Sequence, residues 1–408
     1  MLGRSTARSV RCFHILKLTS ALSTQLAALC LVYVLTPAEY GQFALLVTIA
    51  QLMYTLTSGW SNGVVINLGS KSFAKSGSYK AVVFYRVCIV AVAFVAVSLV
   101  FFVLRPLIEE HMKISGLYVY VLMLFLGYVF YDHASQLLYP GNRDLMQAGS
   151  ELAATFTLLL VVAVAVQDLR SYVFAFTAIS VVFACFVSVL FFGYFHDHPF
   201  QWRRTEFETV FNYSAWQIIS VVSIYLINLG MNYLLAIYKV PLEEIGLYNL
   251  AYRLYSGFSP LFALFGILIP KWIHSTSISV RLIMPKILKI VYALAIIYLV
   301  FGLMLTPLLK QFEMERYLKS VPYYFMLFPA FLMTSYTNLL NTLIANTIHF
   351  RRAQIGTFLQ AGLLLISGFP LVSAFGVSGA IIAITLGSAV GSVYFNRIYR
   401  HVVNQMAE

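Results

Sequence analysis

The sequence TPAEYGQFAL at residues 36–45 recurs in altered form as VPLEEIGLYNL at residues 240–250. A second pair follows in nearly the same register, because QAGSELAA at 147–154 resembles QIGTFLQA at 354–361. A repeat of half the chain length predicts two halves with the same helical structure. The pattern Pro-x-Glu-x-Gly suits a tight hairpin, so it identifies architecture and no binding site. The aligned residues of the first pair are Glu39, Gly41, Phe43 and Leu45 with Glu244, Gly246, Tyr248 and Leu250.

The composition is typical of a membrane protein. Of the 408 residues, 61% are hydrophobic and 10% are charged, whereas soluble domains have about 25% charged residues. Apolar runs of about 20 residues recur along the chain, and each could cross about 30 Å of hydrocarbon. The connections between them are too short for a folded catalytic domain. No histidine has metal-ligand spacing and no Walker A motif is present. We therefore expect no enzyme, no metal and no cofactor.

Twelve apolar runs predict twelve membrane-spanning helices. Because six per half is an even number, both halves enter from the same side, as parallel repeats around a central cavity. We predict an all-α membrane protein with two six-helix lobes, 1–194 and 209–408, joined by a cytoplasmic linker at 195–208. The predicted helices are 15–35, 43–66, 81–104, 117–139, 145–166, 171–194, 209–236, 247–270, 287–309, 321–347, 354–374 and 377–396.

The positive charges predict the orientation. The chain has 27 Lys and Arg against 15 Asp and Glu, a net charge of +12. Alternate connections, together with both tails, hold 18 of the basic residues, while the opposite connections hold seven. Because cytoplasmic loops carry the excess of Lys and Arg, we expect both termini in the cytoplasm. This distribution forms no basic groove, so nucleic acid is not an expected partner.

Ionisable residues inside predicted helices are functional candidates, because charges are costly in hydrocarbon. Arg253 lies on a stripe with Asn249, and Tyr252 and Tyr255 lie beside it. An arginine fork matches phosphate oxygens and stacks on aromatic rings, which suits an anionic, sugar-bearing ligand. The structural alternative is an arginine that extends to the membrane interface or pairs with a carboxylate.

Amides and hydroxyls form polar seams on three predicted helices. Neutral hydrogen-bonding groups beside aromatic rings suit a sugar, although hydrogen bonds between helices explain some of them. We predict that these seams line the cavity. The candidate contacts are Tyr131 and Gln136 on the fourth helix, Gln217 and Asn228 on the seventh, and Asn338 and Asn341 on the tenth.

Three further charges lie near the cytoplasmic ends of predicted helices 3, 4 and 5, namely Arg86, Asp132 and Glu151. They could form a compensated cluster that holds one lobe together or locks one face closed. Alternatively, Asp132 or Glu151 takes up and releases a proton or cation, as a carboxylate in a low dielectric can. We therefore predict an ion-coupling or gating role for this group.

Several motifs together resemble one transporter family. They are the two Glu-x-Gly-aromatic hairpins, the run YNLAYRL at 248–254, Pro270 at the end of its predicted helix, and GVSGA at 376–380. In this order they are similar to the O-antigen and polysaccharide flippases of the multidrug/oligosaccharidyl-lipid/polysaccharide exporter superfamily. The resemblance covers the whole chain in topology.

This resemblance implies a flippase of the bacterial inner membrane that takes part in O-antigen or related lipopolysaccharide synthesis. Its substrate would be undecaprenyl-pyrophosphate-linked oligosaccharide, moved from the cytoplasmic to the periplasmic leaflet by alternating access. Polysaccharide polymerase and chain-length machinery are the implied protein partners, and the bilayer is the surrounding solvent.

Two alternatives come from other classes of protein. A cation-coupled multidrug antiporter of the same superfamily predicts a buried carboxylate in the first helix, where this sequence has none. A membrane polymerase or glycosyltransferase predicts a large periplasmic loop or an acidic catalytic motif, and neither is present. Because a fold hosts several functions, the choice of flippase depends partly on analogy.

Overall fold

The computed structural model describes residues 2–114, 116–196, 201–258, 283–345 and 350–405. Within these ranges every regular element is helical. Eight stretches among the described residues are long and apolar enough to cross a bilayer, and a bent helix pair would make a ninth. The protein is therefore a multi-pass membrane protein, and its described part is all-helical.

Fourteen described α-helices follow one another, with short 3₁₀ turns between some of them. The first seven are α1 Leu2–Val34, α2 Pro37–Thr57, α3 Val64–Ser76, α4 Lys80–Val103, α5 Arg105–His111, α6 Tyr118–Ala134 and α7 Asp144–Val164. The others are α8 Leu169–Phe195, α9 Arg204–Ile237, α10 Leu242–Ser256, α11 Ile283–Gln311, α12 Ser320–Met326, α13 Phe328–Ala345 and α14 Phe350–Gln405.

One predicted helix, 43–66, is wrong as a continuous element. In the structure α2 begins earlier, at Pro37, and ends at Thr57, and α3 begins at Val64 after a bend of 48°. Gly63 immediately before α3 has a φ of +79°, a conformation that only glycine adopts without strain. The apolar pattern continues across the break, which is why the sequence alone predicts one helix.

Other predicted helices also have different boundaries in the structure. The region 321–347 is divided into α12 and α13 around Leu327, where Pro329 cannot donate the backbone hydrogen bond that a continuous helix requires. The helix predicted over 209–236 begins earlier, because α9 starts at Arg204. The helix α10 is described to Ser256, so Pro270 lies outside the described residues.

The long helix α14 reverses direction at Gly376, whose φ of 54° and ψ of −126° are not helical. A Cβ on Gly379 would lie 1.9 Å from the carbonyl oxygen of Leu371, and a Cβ on Gly356 would lie 2.7 Å from the Tyr394 ring. Both pairs are centred on position 375, next to Gly376, so the two parts of α14 form an antiparallel hairpin. The sequence places its boundary between 354–374 and 377–396 at the same position.

The chain forms two compact units. The first unit comprises Met1–Val34 and Leu45–Val222, and the second comprises Leu35–Ala44 and Ser223–Glu408. In the first unit α1 packs along α7 and α6 packs along α8, while in the second α13 packs along α14. The predicted six-helix lobes remain a prediction, because these units divide the chain within α2 and α9.

The second unit brings the two repeated hairpins together. A Cβ on Gly41 would lie 2.0 Å from the carbonyl oxygen of Leu242, and a Cβ on Gly246 would lie 1.8 Å from that of Pro37. Positions 37 and 242 differ by the same 205 residues as Gly41 and Gly246, so the contact is symmetric with respect to the repeat. Only glycine permits this backbone-to-backbone crossing of α2 and α10.

Candidate functional site

A buried ion pair lies at the bend between α2 and α3 in the first unit. The Arg86 side chain on α4 is 1% exposed, and its Nη2 donates to Oδ2 of Asp132 on α6 at 2.5 Å. The Nε of Arg86 donates to the Ser61 hydroxyl at 3.1 Å, and the Ser58 hydroxyl donates to Asp132 at 3.3 Å. The predicted meeting of Arg86 and Asp132 is therefore present in the structure.

The same network stabilises the break in the helix. Gln136, two residues after the end of α6, donates to Oδ1 of Asp132 at 3.0 Å and also to the side-chain amide oxygen of Asn62. The side-chain Oε1 of Gln136 accepts from the backbone N–H of Gly63 at 3.2 Å. A backbone group freed inside a bilayer needs such a partner, because no water is available in hydrocarbon. The Gln136 amide is thus engaged within the protein, and its role as a substrate contact remains a prediction.

A cavity of about 300 Å³ lies beside this network and is lined by residues of the first unit. Asp132 contributes to its wall, whereas Arg86 does not. The polar part of the wall is made of oxygen atoms, which suits a cation or a neutral hydroxyl-bearing ligand better than an anion. The hydroxyl-bearing residues of the wall are Thr24, Tyr54, Tyr128, Tyr131, Ser135, Thr155 and Ser180.

Glu151 does not join Arg86 and Asp132. Its carboxylate on α7 forms an ion pair with the ammonium of Lys17 on α1, and the ammonium also lies 5.1 Å from the centre of the Tyr139 ring. Tyr131 lies within electrostatic range of Glu151. The three predicted charges therefore belong to two ion pairs. Sequence reasoning missed Lys17, although its position two residues inside a predicted helix was a usable signal.

Arg253 lies on α10 in the second unit and is half-buried. Its guanidinium carbon lies 5.9 Å from the centre of the Phe43 ring, and its charge acts on the hydroxyl of Tyr40. Among the described residues it belongs to none of the ion pairs. This arrangement differs from that of Arg86, whose charge is neutralised by Asp132.

The polar neighbours of Arg253 bind one another. The side-chain amides of Asn249 and Asn232 exchange two hydrogen bonds, at 3.0 and 3.3 Å. The Tyr252 hydroxyl lies 3.5 Å from the amide oxygen of Asn228, which is exposed on α9. These contacts join α9 to α10, so part of the predicted seam serves helix packing.

The other predicted contacts are distributed over both units. Tyr255 is buried, and its hydroxyl donates to Thr334 on α13 at 2.9 Å. Asn338 and Asn341 are half-buried on α13, whereas Gln217 is half-buried on the part of α9 that belongs to the first unit. No single described pocket collects the predicted substrate contacts, so their shared role remains a prediction.

Solved structures with the same fold are membrane transporters and a flippase. An inward-facing MATE family multidrug transporter of the MOP superfamily aligns with a TM-score of 0.67 and 13% identity, over 95% of each chain. The inward closed conformation of the lipid II flippase MurJ gives a TM-score of 0.70 and 12% identity, over 94% of this chain and 86% of that chain. A mutant of the Vibrio cholerae MATE transporter VcmN gives 0.59 and 12%, over 98% of each. At these identities the likeness establishes the fold alone.

Sequence comparison is more specific about the family. No curated protein matches the sequence. The family described as polysaccharide biosynthesis protein matches residues 30–264, which is more than half of the chain and includes both repeated hairpins, the Arg86–Asp132 pair and Arg253. The resemblance inferred from the motifs is confirmed, and the chain belongs to the polysaccharide biosynthesis protein family.

Proposed function

We propose that this protein is a flippase for undecaprenyl-pyrophosphate-linked oligosaccharide, the O-antigen repeat unit or a related polymer unit. It would act in the bacterial inner membrane with both termini in the cytoplasm, and would move the headgroup to the periplasmic leaflet. The family description and the fold shared with a lipid II flippase support this class of substrate. Two parallel six-helix lobes would alternate access to a cavity between them.

The observation that carries the proposal is that, among the described residues, no carboxylate forms an ion pair with Arg253. A charged side chain within an apolar helical bundle needs a partner that offsets the free-energy cost of its desolvation. Arg86 and Lys17 each have a carboxylate partner, whereas Arg253 has an aromatic ring and a phenol. A pyrophosphate would supply the missing negative charge, and the guanidinium fork can donate to two of its oxygens.

Transport requires the substrate to bind the two conformations differently. In the proposed cycle the pyrophosphate meets Arg253 while the polyprenyl tail remains in lipid, and the sugars contact amides and hydroxyls of the seams. Asn249, Tyr252, Tyr255, Asn228, Asn338 and Asn341 are the proposed contacts in the second unit, with Tyr131, Gln136 and Gln217 in the first. Arg86, Asp132 and Glu151 are proposed to act in gating or ion coupling.

The test is complementation of a strain deleted for the gene. Wild-type protein should restore surface polysaccharide, and completed lipid-linked repeat units should accumulate on the cytoplasmic face without it. Arg253→Ala should abolish complementation at normal expression, and Arg253→Lys would separate charge from fork geometry. Arg105→Ala is the matched control, because Arg105 forms an exposed ion pair with Glu109. Normal surface polysaccharide in Arg253→Ala would refute the pyrophosphate role.

One observation supports a second candidate, a cation-coupled multidrug antiporter. The cavity of the first unit has a mostly apolar wall that includes hydroxyl groups and the Asp132 carboxylate, and these oxygens can hold a cation. Intact surface polysaccharide together with raised sensitivity to cationic drugs in the deletion strain would favour this function. The flippase remains preferred, because Asp132 already has Arg86 as its counter-ion.

A further inference from the structure

The buried hydroxyl of Tyr40 has no hydrogen-bond partner within 3.5 Å. The side chain is only 1% exposed, and a phenol at that depth normally finds an acceptor. The charge that acts on it belongs to Arg253, which itself has no carboxylate partner among the described residues. The phenol oxygen can itself accept from the guanidinium, so what the described residues leave without an acceptor is the Tyr40 hydroxyl proton and the rest of the Arg253 fork.

The surroundings favour an anion as the missing acceptor. The Phe43 ring lies 5.9 Å from the guanidinium carbon and 5.9 Å from the Tyr40 ring. A ring face attracts the cation but leaves the in-plane N–H groups of the guanidinium available. A phosphate oxygen could accept from both the guanidinium and the phenol.

The two donors come from different repeats. Tyr40 precedes Gly41 on α2, and Arg253 follows Gly246 on α10 by seven residues. Side chains on a helix tilt toward its N-terminus, so the long Arg253 side chain extends toward the crossing of the two helices. The close contact of Gly41 with Leu242, and of Gly246 with Pro37, is what brings these donors together.

We propose that Tyr40 and Arg253 form one site for a phosphate or pyrophosphate group, and that the site exists only while the hairpins cross at Gly41 and Gly246. Tyr40 is then a second anion ligand beside Arg253. When the hairpins separate, the anion loses one of its two ligands. If the anion is the pyrophosphate of the lipid-linked substrate, this loss of one ligand would release the substrate. That step rests on the proposed function.

The test measures binding of inorganic pyrophosphate to the purified full-length protein in detergent by calorimetry. Tyr40→Phe removes only the hydroxyl and should weaken binding about tenfold, as loss of one hydrogen bond to a charged group does. Arg253→Lys should weaken binding by a similar factor, because it loses the fork. Gly246→Ala should weaken binding although both donors remain, because an added Cβ forces the crossing apart.

Tyr118→Phe is the matched control in the first unit. Tyr118 is also buried, its hydroxyl is also unpartnered, and the Arg105 guanidinium carbon lies 5.5 Å from its ring centre. This variant should bind pyrophosphate like the wild type. A parallel titration with phosphatidylglycerol in the detergent distinguishes the pyrophosphate of the substrate from an ordinary lipid headgroup, which should compete weakly.

Pyrophosphate affinity within twofold of wild type in Tyr40→Phe, or an equal loss in Tyr118→Phe, would overturn the site. Wild-type affinity in a folded Gly246→Ala protein would overturn its dependence on the crossing. The complementation assay separates the two proposals. The variants could show the expected order of pyrophosphate affinities while the deletion strain keeps its surface polysaccharide. That result would support the anion site and refute the flippase function.

Discussion

Neutralising Asp132 should destabilise the first compact unit strongly. The carboxylate accepts hydrogen bonds from Arg86 at 2.5 Å, Gln136 at 3.0 Å and Ser58 at 3.3 Å. Asp132→Asn retains the size of the side chain but leaves the Arg86 guanidinium, which is 1% exposed, without a counter-charge. Breaking a buried ion pair from one side typically costs about 3–5 kcal/mol.

The size of the effect comes from the unpaired charge, so a second substitution should reverse much of it. Arg86→Met alone should also cost about 3–5 kcal/mol, because it leaves the Asp132 carboxylate buried and unpaired. Together with Asp132→Asn it removes both charges and retains most of the volume. We expect the double variant to be more stable than either single variant by about 2 kcal/mol or more.

The assay is equilibrium unfolding of the purified protein in mixed micelles, with all four proteins of the cycle compared. The pair Lys17→Met and Glu151→Gln is the control, because these side chains are 32% and 13% exposed and should couple more weakly. Additive losses in the Arg86–Asp132 cycle would refute the reasoning. A stable but inactive Asp132→Asn protein would instead favour the ion-coupling role.

Three further predictions concern the helix contacts. In Gly246→Ala the new Cβ would lie 1.8 Å from the Pro37 carbonyl oxygen, so the hairpins have to move apart by about 1.2 Å to reach the closest ordinary contact of 3.0 Å. This variant should impair complementation. Gly362→Ala should not, because a Cβ there meets nothing within 4 Å. Tyr324→Phe should destabilise the protein by about 1–2 kcal/mol in detergent unfolding, because its buried hydroxyl donates to the Tyr298 carbonyl at 3.1 Å. Hydrogen bonds from Ser171 lower the pKa of Asp168, so this helix cap should stabilise the protein above about pH 4 and lose that effect as the pH falls further. A pH titration of thermal unfolding that is identical in wild type and Asp168→Asn would contradict the last prediction.

The helices themselves could be predicted because their signal is local. A run of apolar side chains 20 residues long has few alternatives in a bilayer, where the backbone must satisfy its own hydrogen bonds. The local nature of this signal also explains why two helix breaks were not predicted. The bend at Gly63 and the division around Leu327 lie inside apolar runs, and hydropathy does not register a change of backbone direction.

The candidate site could be predicted only in part. Arg86, Asp132 and Arg253 were identifiable from the cost of a charge in hydrocarbon, which depends on the residue and its helix alone. Tyr40 could not be identified, because nothing local in a sequence with 27 tyrosines shows which of them lack an acceptor. Its relevance depends on its distance from Arg253, which lies 213 positions later in the chain.

The sequence by itself determined that this chain is a helical membrane protein built from a repeat, since composition, period and internal similarity are properties of the chain. The tertiary structure decided which charges neutralise one another. Glu151 pairs with Lys17, 134 positions away, and Asp132 pairs with Arg86, while Arg253 lies against Phe43 and Tyr40. The physical reason is that a charge in a low dielectric is stabilised by whatever lies within a few ångströms, and helix packing sets those neighbours.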